Sequence, residues 1–86
     1  MAEVTIYTSV FCGFCHRAKH LLESKGVAFT EIDVTTDVDM RRVMAERAGG
    51  RRSVPQIFIG ETHIGGYTDL DALENAGQLD KLLNPS

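Results

Sequence analysis

Apolar and polar residues alternate at the start of the chain, Val4-Thr5-Ile6-Tyr7-Thr8, and this two-residue period predicts a first strand with Val4 and Ile6 on one face. The period then lengthens: Cys15, Ala18 and Leu22 share one face of a predicted amphipathic helix from about Phe14 to Ser24. It ends at Lys25-Gly26, where glycine can adopt the left-handed cap conformation. Val27 to Val34 reads as a second strand, with Phe29, Ile32 and Val34 as its apolar positions. Strand, helix and strand over about 30 residues make a βαβ unit, whose strands are expected to be parallel.

Thr36 followed by Asp39 resembles a capping box, and Met40, Val43, Met44 and Ala48 form a helical stripe that stops at Gly49-Gly50. Gln56 to Ile59 and Thr62 to Ile64 predict two further strands joined by a Gly60-Glu61 hairpin turn, with Pro55 just before the first of them. Thr68 and Asp71 suggest a second capping box ahead of Leu70, Leu73 and Ala76. Leu79, Leu82 and Leu83 then make a last amphipathic turn before Asn84-Pro85-Ser86. The expected fold class is α/β, a four-stranded mixed sheet flanked by helices in the order β-α-β-α-β-β-α.

At 86 residues the chain is expected to form one domain, residues 1–86, with no internal repeat or linker. Its 43% hydrophobic and 24% charged residues are ordinary for a globular protein. No apolar run approaches membrane-spanning length, and the net charge of −3 argues against general nucleic-acid binding. Eight of the nine Lys and Arg residues fall in the first 52 positions, whereas the remainder carries Glu61, Asp69, Asp71, Glu74 and Asp80 against Lys81. A cationic side facing an anionic side suits a small zwitterionic or anionic substrate. A cytoplasmic monomer is expected.

The candidate chemistry lies in Cys12-Gly13-Phe14-Cys15, which holds both cysteines of the chain. Its position between a strand and a helix puts Cys12 at a helix N-terminus, where unpaired N–H groups and about half a positive charge favour the nucleophilic thiolate. Zinc would need four ligands, and His16, His20 and His63 do not have the paired spacing of a finger. A structural disulfide would close a tiny loop and stabilise little. Redox chemistry is the reading that uses the position, with Cys12 attacking and the more shielded Cys15 resolving.

The order of elements, with C-x-x-C opening the first helix and Val54-Pro55 opening the third strand, resembles the thioredoxin fold. More closely, the chain resembles a glutaredoxin. The matching segments are Tyr7-Thr8, Cys12 to Lys19, Ser53-Val54-Pro55-Gln56-Ile57-Phe58-Ile59 and Ile64-Gly65-Gly66-Tyr67-Thr68-Asp69-Leu70. A thioredoxin proper would show Trp before Cys-Gly-Pro-Cys, and this chain has no Trp.

The resemblance implies a glutathione-dependent disulfide oxidoreductase acting on glutathionylated and disulfide-containing proteins, supplied with electrons indirectly by the glutathione reductase system. It implies a cis Val54-Pro55 bond, with Val54 pairing the cysteinyl part of glutathione and Thr68 and Asp69 holding its γ-glutamyl end. Phe14, Pro55 and Gly66 complete the implied glutathione site. Two departures stand out. Gly13-Phe14 replaces the Pro-Tyr common in dithiol members and matches the monothiol class, which raises the alternative of a [2Fe–2S] cluster held by Cys12 of two chains and two glutathiones. Ser9 stands where the family usually has Lys, so the glycine carboxylate of glutathione would fall to Arg41, Arg42, Arg51 or Arg52.

Overall fold

β1 (Val4–Thr8) sends Val4 and Ile6 to one side and Tyr7 to the other, and all three are buried, which requires β1 to lie inside a sheet covered on both faces. The structure, a computed structural model, describes residues 2–84, so Met1, Pro85 and Ser86 lie outside the described residues. After β1 come α1 (Gly13–Ser24), β2 (Thr30–Asp33), α2 (Val38–Arg47), β3 (Gln56–Ile59), β4 (Thr62–Gly65), α3 (Tyr67–Asn75) and α4 (Leu79–Leu83). The sheet order is β2-β1-β3-β4. β1 runs parallel to β2, pairing Tyr7 with Ile32, and antiparallel to β3, pairing Ile6 with Ile57. β3 and β4 form the hairpin, with Gly60 at φ +59 in its turn.

Two cores follow from the two faces. Val4, Ile6, Ile57 and Ile59 pack against Ala18 and Leu22 of α1, Leu70 of α3, and Leu79 and Leu83 of α4. Tyr7 and Phe58 face Val34, Met44 and Ala48 on the α2 side. Each fully buried leucine is worth about 1.5–3 kcal/mol of transfer free energy, so the α1 stripe predicted from its spacing anchors that helix. The far end of α1 is tied down by charge: Lys25 Nζ lies 2.8 Å from Glu74 and 2.9 Å from Asp80.

The differences from the sequence reading are local. The second strand is shorter than Val27 to Val34, because the Val27 amide donates to the Leu22 carbonyl and closes the end of α1, with Gly26 at φ +70. Asp37, not Thr36, caps α2 by accepting from the Met40 amide at 2.9 Å. α3 starts one residue before Thr68, and its cap is the Gly66 amide donating to Asp69 Oδ2 at 2.9 Å, not a Thr68 and Asp71 pair. On α2, Ala45 is buried while Val43 is exposed, since the helix turns its Met44, Ala45 and Ala48 side to the sheet.

Candidate active site

The chain leaves β1, crosses Val10 and the fully exposed Phe11, and enters α1 through Cys12, which holds extended backbone angles as the N-cap. The Cys15 amide donates to Cys12 Sγ at 3.0 Å, so this sulfur takes one of the N–H groups that a helix start leaves unpaired. On its other side Cys12 Sγ is 3.6 Å from the Val54 carbonyl oxygen, to which its S–H donates when protonated. A thiolate loses that bond and keeps the one from Cys15. The Val54-Pro55 peptide bond is cis, as the resemblance implied, and turns the chain across the thiol just before β3.

Cys12 is half-buried and Cys15 is buried, both as free thiols. Burial pushes the Cys15 thiol up to about 12, with its hydrogen bond to Cys12 adding to the effect. The two sulfurs therefore differ in kind: one is reachable at a helix N-terminus, and the other is a shielded thiol one turn in.

A groove of about 210 Å³ is lined by Phe14, Tyr67, Arg51, Ser53, Val54, Pro55, Gly66 and Thr68, and it neighbours the thiol through Val54, whose carbonyl oxygen is 3.6 Å from Cys12 Sγ. Phe14 stacks on Tyr67 with ring centroids 6.0 Å apart, and the Arg17 guanidinium lies 5.8 Å from the Phe14 centroid. The N-terminus of α3 points into this groove. Asp69 Oδ2, besides capping Gly66, lies 3.4 Å from Arg51 Nη1. A larger depression of about 570 Å³ runs along α1 past His16, His20 and Leu21.

Phe14, Val54, Pro55, Gly66 and Thr68 thus converge with Arg51 around one opening, and Asp69 sits directly behind it. The other three arginines do not line the groove. Arg41 Nη1 donates to the Arg52 carbonyl at 3.2 Å and braces the loop from the α2 side, and Arg52 meets this bond through its backbone. Arg42 pairs with Asp39 at 3.0 Å on the exposed face of α2. Two wall residues, Tyr67 and Ser53, were not singled out from the sequence, although both stand inside the quoted segments. Gly65 was also missed as a requirement: it sits at φ +115, and a Cβ there would collide with the Asp69 carboxylate.

A C-x-x-C opening the first helix of this β-α-β-α-β-β-α-α arrangement, with a cis-proline loop facing its first sulfur, defines a thiol oxidoreductase of the thioredoxin fold. The chain belongs to the glutaredoxin family, whose family model matches residues 4–64. A glutaredoxin of Pseudomonas aeruginosa is 52% identical over 84 residues, covering 98% of this chain and 99% of that protein. The solution structure of a glutaredoxin from Brucella melitensis superposes with a TM-score of 0.85 at 52% identity, covering 96% of this chain and 89% of that one. A buckwheat glutaredoxin–glutathione complex gives a TM-score of 0.87 at 26% identity, over 98% of this chain and 78% of that one.

Proposed function

We propose that this protein is a glutathione-dependent thiol–disulfide oxidoreductase that reduces protein–glutathione mixed disulfides, and protein disulfides when both cysteines act. The observation that carries this reading is the half-buried Cys12 at the α1 N-cap, whose sulfur lies 3.6 Å from the carbonyl oxygen of Val54, a residue lining a groove that reaches the first residues of α3. The buckwheat complex supports glutathione as the occupant. The Cys12 thiolate attacks the glutathione sulfur of the mixed disulfide, the S–S bond breaks, and the target leaves as a thiolate. A second glutathione thiolate attacks the same sulfur, yielding oxidised glutathione and freeing Cys12. Val54 offers its backbone to the cysteinyl part, and the N–H groups of α3 suit the γ-glutamyl carboxylate. Asp69 suits the ammonium, and Arg51, 3.4 Å from Asp69, stands at this same end beside the γ-glutamyl carboxylate, so the glycine carboxylate is left to Arg41, Arg42 or Arg52. A reduced glutathione pool, and hence the cytoplasm, belongs to this reading.

Steady-state reduction of a glutathionylated peptide, with glutathione and glutathione reductase, tests it. Cys12→Ser is expected to lose all turnover and Cys15→Ser to retain it. Equal loss in both folded variants would overturn the assignment of roles.

A second reading, a [2Fe–2S] cluster, is favoured by Gly13: nothing lies within 4 Å of where its Cβ would be, which leaves the approach to Cys12 open. The donor set fits as a single ligand, because Cys15 is buried and held as a thiol. The other thiolates would come from glutathione and a second chain. Visible absorbance after anaerobic reconstitution with glutathione, lost in Cys12→Ser, is the expected sign; a colourless product would end this reading.

A further inference from the structure

Behind the groove lies a polar chain that the chemistry above does not use. Gln56 on β3 is completely buried, yet its whole amide is paired. Nε2 donates to the Ser53 carbonyl at 3.0 Å and to Ser53 Oγ at 3.2 Å, and Oε1 is 2.7 Å from His63 Nε2. A carbonyl only accepts, so the bond to Ser53 fixes the amide's orientation and leaves Oε1 facing His63. His63 Nε2 must then carry the proton and donate it, and Nδ1 is the bare nitrogen of the neutral ring.

The sheet makes this possible. Phe58 pairs with His63 across the hairpin, and Gln56, two residues before Phe58, projects to the same face. A bulge beside Ile57 and Phe58 shifts the register, and the His63 ring stacks on Phe58 with centroids 4.9 Å apart. Burial first, and the Arg51 cation second, hold His63 below the usual histidine range, with Asp69 opposing; the neutral ring agrees with the geometry.

We propose that Gln56 and His63 are positioning residues for the groove: through Ser53 they hold the Ser53-Val54 backbone at the place where Val54 faces Cys12. This deepens the function proposed above and rests on it for its kinetic readout. His63→Phe would keep an aromatic ring on Phe58 but remove the donor, leaving Gln56 Oε1 buried without a partner. Gln56→Leu would remove the link to Ser53 directly. His63→Gln offers an amide N–H near the position of Nε2.

The test is steady-state kinetics on a glutathionylated peptide, together with backbone order parameters of Ser53 and Val54 and the ¹⁵N signals of His63. His63→Phe and Gln56→Leu are expected to raise KM about fivefold to tenfold, the size of one lost neutral hydrogen bond. Expected alongside are a kcat within about twofold of wild type, recovery of most of the affinity in His63→Gln, and wild-type spectra with Nε2 protonated and Nδ1 bare. Unchanged KM in both folded variants, or a proton on Nδ1 instead, would overturn the inference. If the wild-type protein turned over no glutathionylated peptide, the function itself would fail. The order parameters would then decide: a fall at Ser53 and Val54 in His63→Phe sustains the positioning role, and unchanged values end it.

Discussion

Cys15 is expected to be slow at the one step that only it can perform, and pH reveals this. Consider wild-type protein carrying glutathione on Cys12, freed of all other thiols. Release of that glutathione requires the Cys15 thiolate to attack Cys12 Sγ: the Cys12–Cys15 bond forms, the bond to glutathione breaks, and glutathione leaves as a thiolate. The rate follows the ionised fraction of Cys15. With its thiol at about 12, that fraction at pH 7 is roughly 10⁻⁵, against about 0.03 for an exposed cysteine near 8.5. The deficit is roughly three-thousandfold. Greater basicity returns about fortyfold in nucleophilicity at a Brønsted slope of about 0.4–0.5. The net retardation is therefore roughly a hundredfold, and this is a ceiling. The hydrogen bond to Cys12 disappears once that sulfur is in a disulfide, whereas burial, the larger cause, persists.

Quenched-flow with mass spectrometry from about pH 6.5 to about pH 9 measures the release, with Cys15→Ser as the blank. The rate should climb about tenfold per pH unit without levelling, since a raised thiol ionises only above this window. A plateau below about pH 8 would refute the argument, because it would show Cys15 already ionised where its burial forbids it.

Two further predictions concern the frame. Gly65→Ala, at φ +115 and against the Asp69 carboxylate, should cost about 1–3 kcal/mol in urea unfolding and raise KM for glutathionylated peptide, whereas Gly49→Ala, left-handed but in open space, should leave KM alone. A Gly65→Ala protein with wild-type KM would show that Asp69 need not keep its place. Leu22→Ala, at a fully buried position between α1 and the sheet, should lower unfolding free energy by about 2–5 kcal/mol; a loss under about 1 kcal/mol would contradict the packing described for α1.

The fold was legible because its signals are local and repeated. Cys15, Ala18 and Leu22 define a helix face by spacing alone, and Gly26, Gly60 and Pro55 mark where elements must stop. The caps were less legible. Thr36 and Asp37 are adjacent and both can accept from an amide, and which one does so depends on where the helix axis must lie over the sheet. Asp69 was read as a ligand group, yet in the structure it also caps α3 through Gly66, a role visible only once the helix start is known. Arg51 could not be told from Arg41, Arg42 and Arg52 by type; what separates it is that the loop turns it toward Asp69. The Ser53-Gln56-His63 chain was out of reach, because it depends on the β3–β4 register and its bulge.

The placement of the two tyrosines gives the protein a built-in pair of optical reporters. It has no tryptophan, so Tyr7 and Tyr67 dominate its near-ultraviolet signal. Tyr7 is buried in the α2-side core with its hydroxyl accepting from Arg47 at 2.7 Å, whereas Tyr67 stacks on Phe14 at the wall of the groove. Emission from Tyr7 is expected to follow unfolding and emission from Tyr67 to respond to anything that enters the groove, and a single Tyr7→Phe substitution would separate them without any attached label.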